Sequence, residues 1–407
     1  MDVALICYFC TMKKSLKVIL LAIAGIVLLA YVLVQWVLSG TEFGGVMDEE
    51  SSVKARSSHS FNGDHFQNSP GDMPYGIMVN IGDLLGDQVR VPPGPFPMEI
   101  PDVADTVKAG IRATWLGHAT VFIEMDGKRI LTDPMLSDHA FPIKFIAPKR
   151  FNRSPLPMDA LPPIDIVTIS HDHFDHLDMK TVKVLAASGS QFYVGIGIKA
   201  HLIEWGISAT QINEMDWWES LTLDEFTIHC TPARHYSGRT GLNNATLWTS
   251  WVISSPNHDI YHSGDSGYGD HFRVIGERFG PIEMSFIKIG DYGEDLGWRD
   301  IHMHTEQSVQ AALDLRTKIM FPIHWGTFNL SNHDWYEPIN LAVQYASEKK
   351  VPLVTPKLGE TLTFGDPIHN LPWWESIQKL SELREGAPDS SNLSLLVLKT
   401  LKSSTYR

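Results

Sequence analysis

The sequence predicts an α/β fold of two β-sheets packed face to face with helices outside them, preceded by one membrane-spanning helix. Three observations carry the prediction. From Arg112 onward, short β-branched and aromatic runs alternate with segments whose apolar residues recur at helical spacing. Turn signals separate these runs, and strands outnumber helices, as in a layered sandwich. Near the start, "VILLAIAGIVLLAYVLVQWVL" holds 21 residues with Gln35 as its single polar member, the length of a bilayer-crossing helix.

That apolar run, Val18–Leu38, follows Lys13, Lys14 and Lys17 and precedes Glu42, Asp48, Glu49 and Glu50. The positive-inside tendency then puts residues 1–17 in the cytoplasm and the folded body on the outer, periplasmic or otherwise extracytoplasmic, side. The run is long for a cleaved signal peptide, so an uncleaved anchor is expected. Residues 39–100 are rich in Ser, Gly, Asp and Pro. They are expected to form a flexible tether, with His59 and His65 solvated, that leads into an extended arm, "VRVPPGPFPMEIPD".

The body is expected over residues 101–368. "IRATWLG" and "TVFIEMDGKRILTDP" read as strands, the second folded at Asp126-Gly127. "IDIVTIS" is a short buried strand, "DMKTVKVLAAS" a helix, "QFYVGIG" a strand and "KAHLIEWG" a short helix. "SLTLDEFTIHCTPA", "LWTSWVISSP", "DIYHSGDSGYG" and "EMSFIKIGD" add strand segments, "TEQSVQAALDLRTK" a helix and "IMFPIHWGTF" a last strand. The tail, 369–407, is helical or loose, with Trp373 and Trp374 free to pack on the body.

Composition narrows the chemistry. The net charge of −14 repels a nucleic-acid backbone, so no nucleic-acid partner is expected. Of the three cysteines, Cys7 and Cys10 precede the body and Cys230 reads as a buried strand residue. A disulfide framework and a cysteine zinc site are therefore excluded from the body, and any metal must be held by His, Asp and Glu.

Such residues crowd "TISHDHFDHLDM", directly after a predicted strand. His171 and His173 are two apart and point the same way on extended backbone, while Asp175 and His176 follow on the turn. His235 in "TPARHYSGR", Asp265 in "YHSGDSGYG" and His324 in "FPIHWGTF" each sit just past a predicted strand, where scaffolds present functional groups. The set fits a dinuclear site: His171, His173 and His235 on one metal, Asp175, His176 and His324 on the other, and Asp265 bridging. Nitrogen and carboxylate donors without thiolate fit two Zn²⁺, with Fe or Mn as alternatives. Asp172 and Asp178 read as helix caps or backbone acceptors, Asp133 as a partner orienting a ligand histidine. His118 and Arg239 are candidate substrate contacts. Trp217, Trp218 and Trp298 read as core or interface residues.

"SHDHFDHLD" matches the H-x-H-x-D-H signature of the metallo-β-lactamase superfamily. With "WLGHATVFIEMDGKRILTDP", "APKRFNRSPLP", "HYSGR", "GDSGYG", "EMSFIKIGDY" and "IHWGTF", the body resembles the branch containing N-acyl-phosphatidylethanolamine-hydrolysing phospholipase D. The resemblance implies a four-layer αββα sandwich and the seven metal ligands named above. It implies phospholipase D-type hydrolysis to phosphatidate and an N-acylethanolamine, by attack of a metal-bridging hydroxide. Asp175, Asp265 and His302 are then the expected catalytic residues, with His302 or a metal-bound water as donor to the leaving alcohol. His302 lies where the branch carries a histidine near the substrate phosphate. The branch usually follows it with Asp-Pro or Asn-Pro, whereas here His304-Thr305 stands there, so His304 competes with His302 for that role. The rival reading is hydrolysis of a carbonyl compound, a lactone, thioester or β-lactam, which the same donors serve. Either way the partner is a membrane phospholipid or another small ester.

Overall fold

This computed structural model describes residues 3–68, 89–239, 243–293 and 297–385. The chain opens with α1, Val3–Leu38, followed by a single 3-10 turn, Thr41–Phe43, and α2, Glu49–Ser57. Within α1 the apolar run Val18–Leu38 has a mean hydropathy of 2.8 and none of it is buried, unlike a core helix.

The body starts with β1 (Ile111–Gly117), β2 (Thr120–Met125), β3 (Lys128–Thr132), β4 (Ile166–Ile169), β5 (Gln191–Gly195) and β6 (Ile212–Met215). Asp126 and Gly127 both take positive φ, 45° and 90°, as a tight hairpin between β2 and β3 requires. Helices α3 (Met179–Ala187) and α4 (Ile198–Glu204) connect the parallel strands β4, β5 and β6. The second half contributes β7 (Ser220–Leu223), β8 (Phe226–Pro232), β9 (Thr249–Ser254), β10 (Asp259–His262), β11 (Met284–Lys288) and β12 (Ile319–Ile323). Among these lie α5 (His271–Phe279), α6 (Trp298–Ile301) and α7 (Thr305–Asp314); α8 (Glu337–Lys349), β13 (Thr361–Thr363) and α9 (Glu375–Glu385) follow. The stretch read as "SLTLDEFTIHCTPA" is a hairpin, folded where Asp224 takes φ 52°.

The strands form a seven-stranded sheet, β13-β1-β2-β3-β4-β5-β6, and a six-stranded sheet, β12-β11-β10-β9-β8-β7. Period-two alternation sorts side chains between layers. On β2, Val121, Ile123 and Met125 join the core shared with Trp251, Tyr261 and Phe286 of the other sheet, while Phe122 faces the opposite way with Leu131, Val182 and Leu202. Ile275, Val309 and Ile339 bring α5, α7 and α8 into the larger core. The architecture is the four-layer αββα sandwich expected from the sequence. The tail packs as allowed for: Trp373 and Trp374 are buried, and Trp374 donates through Nε1 to Asn340 at 2.7 Å. Residues 386–407 of that tail lie outside the described residues.

The expected tether requires correction over residues 41–68. Phe43, Ala55 and Phe66 are buried, Trp205 donates through Nε1 to the Thr41 carbonyl at 2.6 Å, and Lys54 donates to the Glu214 carbonyl at 2.7 Å. Composition suggested a solvated chain, but two spaced phenylalanines, Phe43 and Phe66, and a capped helix suffice to dock it. Asp48 caps α2 by accepting from Ser51 N at 2.8 Å. The rest of the tether, 69–88, lies outside the described residues. Phe96 anchors the arm between Trp335 and Trp373.

Candidate metal centre

The site gathers where strands end. β3 and β4 are parallel, so the residues just past them meet: Asp133 accepts from Ser170 N at 2.7 Å and from Ser170 Oγ at 2.6 Å. The loop after β4 then presents His171, His173, Asp175 and His176. The opposing sheet delivers His235 after β8, Asp265 after β10 and His324 after β12. Main-chain bonds pin the two sheets together here, His324 N to His118 O at 3.0 Å and Thr249 N to Ser170 O at 2.8 Å. Gly264 permits the approach, since a Cβ at that position would lie 2.4 Å from Ser170 Cβ and its φ is 52°.

Two donor groups result. His171 Nε2 lies 2.9 Å from His173 Nδ1, and His235 Nε2 lies 3.2 Å from the same atom, so three ring nitrogens converge on one point. Beside them, His176 Nε2 is 3.5 Å from both Asp175 Oδ2 and Asp265 Oδ2, and His324 Nε2 is 3.0 Å from Asp265 Oδ1. Asp265 also approaches His235 Nε2 at 3.9 Å and so lies between the two groups. The buried atoms His176 Nε2, His324 Nε2 and Asp265 Oδ1 have no hydrogen-bond partner among the described residues. Leaving buried polar atoms unpaired costs about 1–3 kcal/mol each, and a shared cation would remove that cost. The donor set therefore fits a pair of divalent metals, with imidazole and carboxylate as the donors.

Electrostatics agrees. Burial raises Asp175 and Asp265, but the facing histidines outweigh it and hold both carboxyls well below their ordinary range. Burial, reinforced by neighbouring rings, keeps His171 and His235 well below 6.5 and hence neutral. His176 goes the other way; three carboxylates, of Asp265, Asp175 and Asp133, overcome its burial and raise it well above 6.5. The charged carboxylates and the neutral rings of His171 and His235 suit a cation, and His176 must give up its Nε2 proton to bind one.

The remaining expected residues divide. Asp133 accepts from His176 Nδ1 at 2.7 Å, which aims Nε2 into the cluster. His118 donates through Nε2 to Asp175 Oδ2 at 2.8 Å and packs on the His324 ring at 3.9 Å, within the cluster rather than at its rim. His302 is 3% exposed, with Nδ1 3.9 Å from Asp265 Oδ2, whereas His304 caps α7, its N–H donating to Gln307 Oε1 at 2.9 Å. The structure thus turns His302, and not His304, toward the cluster.

Arg239 requires correction as a substrate contact. It donates to the carbonyls of Asp172, Leu177 and Glu42 at 2.8–3.0 Å and lies over the Phe174 ring at 4.1 Å. It braces the back of the histidine loop. Asp178 caps α3, and Asp172 accepts from Gly238 N at 3.0 Å, both as read. Trp217 and Trp218 pack against the core.

Sequence reasoning missed three neighbours. Lys288, fully buried on β11, places Nζ within hydrogen-bond reach of His302 Nδ1. Asp291 Oδ2 lies 3.8 Å from the same nitrogen. Trp298, read only as core or interface, stacks on the His302 ring at 4.7 Å and donates to Asp291 O at 3.2 Å. A lysine inside a continuous apolar strand, "SFIKIG", was the available signal.

Known proteins fit this geometry. A family profile described as "Beta-lactamase superfamily domain" matches residues 128–325. An uncharacterised protein of Mycobacterium tuberculosis is 40% identical over 287 residues, covering 70% of this chain and 77% of that one. An N-acyl-phosphatidylethanolamine-hydrolysing phospholipase D of Caenorhabditis elegans is 35% identical over 241 residues, covering 56% and 67%. Among solved structures, a possible metal-dependent hydrolase of Veillonella parvula superposes with TM-score 0.51 at 20% identity, covering 63% of this chain and 100% of that one. The chain belongs to the metallo-β-lactamase superfamily of metal-dependent hydrolases and, within it, resembles the N-acyl-phosphatidylethanolamine-hydrolysing phospholipase D branch.

Proposed function

We propose that the protein is a membrane-anchored phospholipase of the D type acting on N-acyl-phosphatidylethanolamine, with His171, His173 and His235 holding one metal, Asp175, His176 and His324 a second, and Asp265 both. The observation that carries it is the pair of adjacent donor groups sharing Asp265, with His302 facing them. Zn²⁺ is the metal we favour, because three imidazoles suit it. When bound, the metals lower the pKa of a water for attack on phosphorus and offset the charge that builds on the phosphoryl oxygens.

The chain's own residues do the rest. Lys288 donates to His302 Nδ1, which leaves the ring proton on Nε2, available to the leaving alcohol. Trp298 fixes the ring plane by stacking. Charge flanking the apolar helix supports a cytoplasmic N-terminus with the body on the outer side. The space beside the cluster supports a lipid. An inner cavity of about 20 Å³, lined by His118, Asp291 and His324, shares Phe151 and Asn329 with an outer groove of about 820 Å³. The same donor groups also serve a lactone or thioester, which is the second reading.

The test offers the purified full-length protein, in detergent-free vesicles, N-acyl-phosphatidylethanolamine, a lactone and a thioester. The expected products are phosphatidate and N-acylethanolamine, lost with chelator and restored by Zn²⁺. Turnover confined to the carbonyl substrates would overturn the phosphodiester assignment.

A further inference from the structure

Phe145 is 88% exposed and Ile146 62% exposed, side by side on the loop that follows β3. Two exposed apolar residues of this size in sequence call for an apolar environment in the working protein. Lys144 and Lys149, also exposed, flank them on a chain whose net charge is −14, so the loop is locally basic on an acidic body.

The loop's position identifies that environment. Only Ser39 and Gly40 separate the end of α1 at Leu38 from the turn Thr41–Phe43. Phe43 is buried edge-on against Phe141 of this loop, at 6.1 Å, and against Phe174 of the histidine loop, at 5.6 Å. Glu42 shares a cavity of about 270 Å³ with Phe141 and Lys144. The end of the apolar helix is therefore fixed to the loop by packing. A bilayer crossed by Val18–Leu38 has its surface within a few residues of Phe43, and the loop lies against that same point.

We propose that Phe141–Lys149 is a membrane-entering rim: Phe145 and Ile146 enter the acyl layer at the end of α1, and Lys144 and Lys149 lie on anionic headgroups. The partner is an anionic phospholipid surface. The rim also borders the outer groove, which Phe145, Ile146 and Lys149 line together with Val91, and which shares Phe151 and Asn329 with the cavity beside His118 and His324. A lipid lifted from the bilayer at the rim would approach the cluster along this groove. The insertion itself is independent of the reaction; only the route rests on the lipid reading above.

The test uses the full-length chain in vesicles of phosphatidylglycerol and phosphatidylcholine. An environment-sensitive fluorophore is attached at Phe145→Cys, in a Cys7→Ser, Cys10→Ser background that keeps the buried Cys230. Asn257→Cys serves as control, an exposed position at the strand end opposite Asp265. Doxyl-labelled lipid is expected to quench the label at 145 and blue-shift its emission, and to leave the label at 257 unchanged. Equal, weak quenching at both positions would overturn the insertion, whatever the enzyme's substrate. In parallel, the Lys144→Glu variant, at a rim position that does not line the outer groove, is expected to lose activity severalfold on anionic vesicle substrate while hydrolysing a soluble aryl phosphodiester at the wild-type rate. Equal loss on both substrates would overturn the route.

Discussion

Replacing Asp133 with Asn tests how the site orients its ligands. Asp133 is fully buried and accepts from Ser170 N, Ser170 Oγ and His176 Nδ1 at 2.6–2.7 Å. Asn keeps one oxygen for Ser170 N but turns an NH₂ toward two donors. His176 is then driven to carry its proton on Nε2, the nitrogen that faces Asp175 and Asp265. Losing two hydrogen bonds to a charged acceptor costs on the order of 3 kcal/mol of folding stability. Losing the orienting carboxylate lowers metal affinity by roughly 10- to 100-fold, which is about 1.4–2.8 kcal/mol. The loss falls mainly on the metal group containing His176, because His171 keeps its contact to Ser170 Oγ at 2.9 Å. Competition against a chromophoric chelator resolves the two affinities. Asp133→Asn is expected to weaken one of them and nearly spare the other. Wild-type affinity at both sites, in a folded variant, would refute the argument that Asp133 sets the tautomer.

Three further outcomes are expected. Lys288→Met keeps the volume of a fully buried side chain but removes the charge beside His302, so kcat is expected to fall about tenfold or more with metal content unchanged, read by steady-state kinetics and elemental analysis. Arg239→Ala removes hydrogen bonds to three carbonyls and the contact with Phe174, and is expected to cost about 3 kcal/mol of stability in urea unfolding while substrate KM changes little. Burial pushes the Asp126 carboxyl up, but hydrogen bonds from Ser255, His258 and Gly110 outweigh it and leave it below its ordinary 3.8. Its stabilisation is thus complete above that value and lost as pH falls through the lower folded value, so Asp126→Asn is expected to flatten the acid limb of metal-free thermal denaturation below roughly pH 4.

Much of this was legible in the sequence because the chemistry is local. The histidine loop lies within a few residues of one strand, so spacing alone reveals it. The hairpin at Asp126-Gly127 and the cap at Asp178 are equally local. His235, Asp265 and His324 were readable only as polar residues just past strands, since their convergence depends on the order of strands in two sheets. Arg239 misled because its partners are main-chain carbonyls, which no residue name discloses. Lys288 went unread because a strand lysine suggests an exposed edge, while the facing acid, Asp265, is far away in sequence. The docking of residues 41–68 was hidden for a related reason: Phe43 and Phe66 match pockets on the body and follow no period of their own.

The central claim is that groups from both sheets hold two cations around Asp265. Anomalous scattering at the zinc edge from crystals of the metal-loaded protein tests it directly. The account predicts two peaks roughly 3.5–4 Å apart, one among His171, His173 and His235 and the other among Asp175, His176 and His324. A lone peak remote from Asp265, or none at full metal loading, would contradict it.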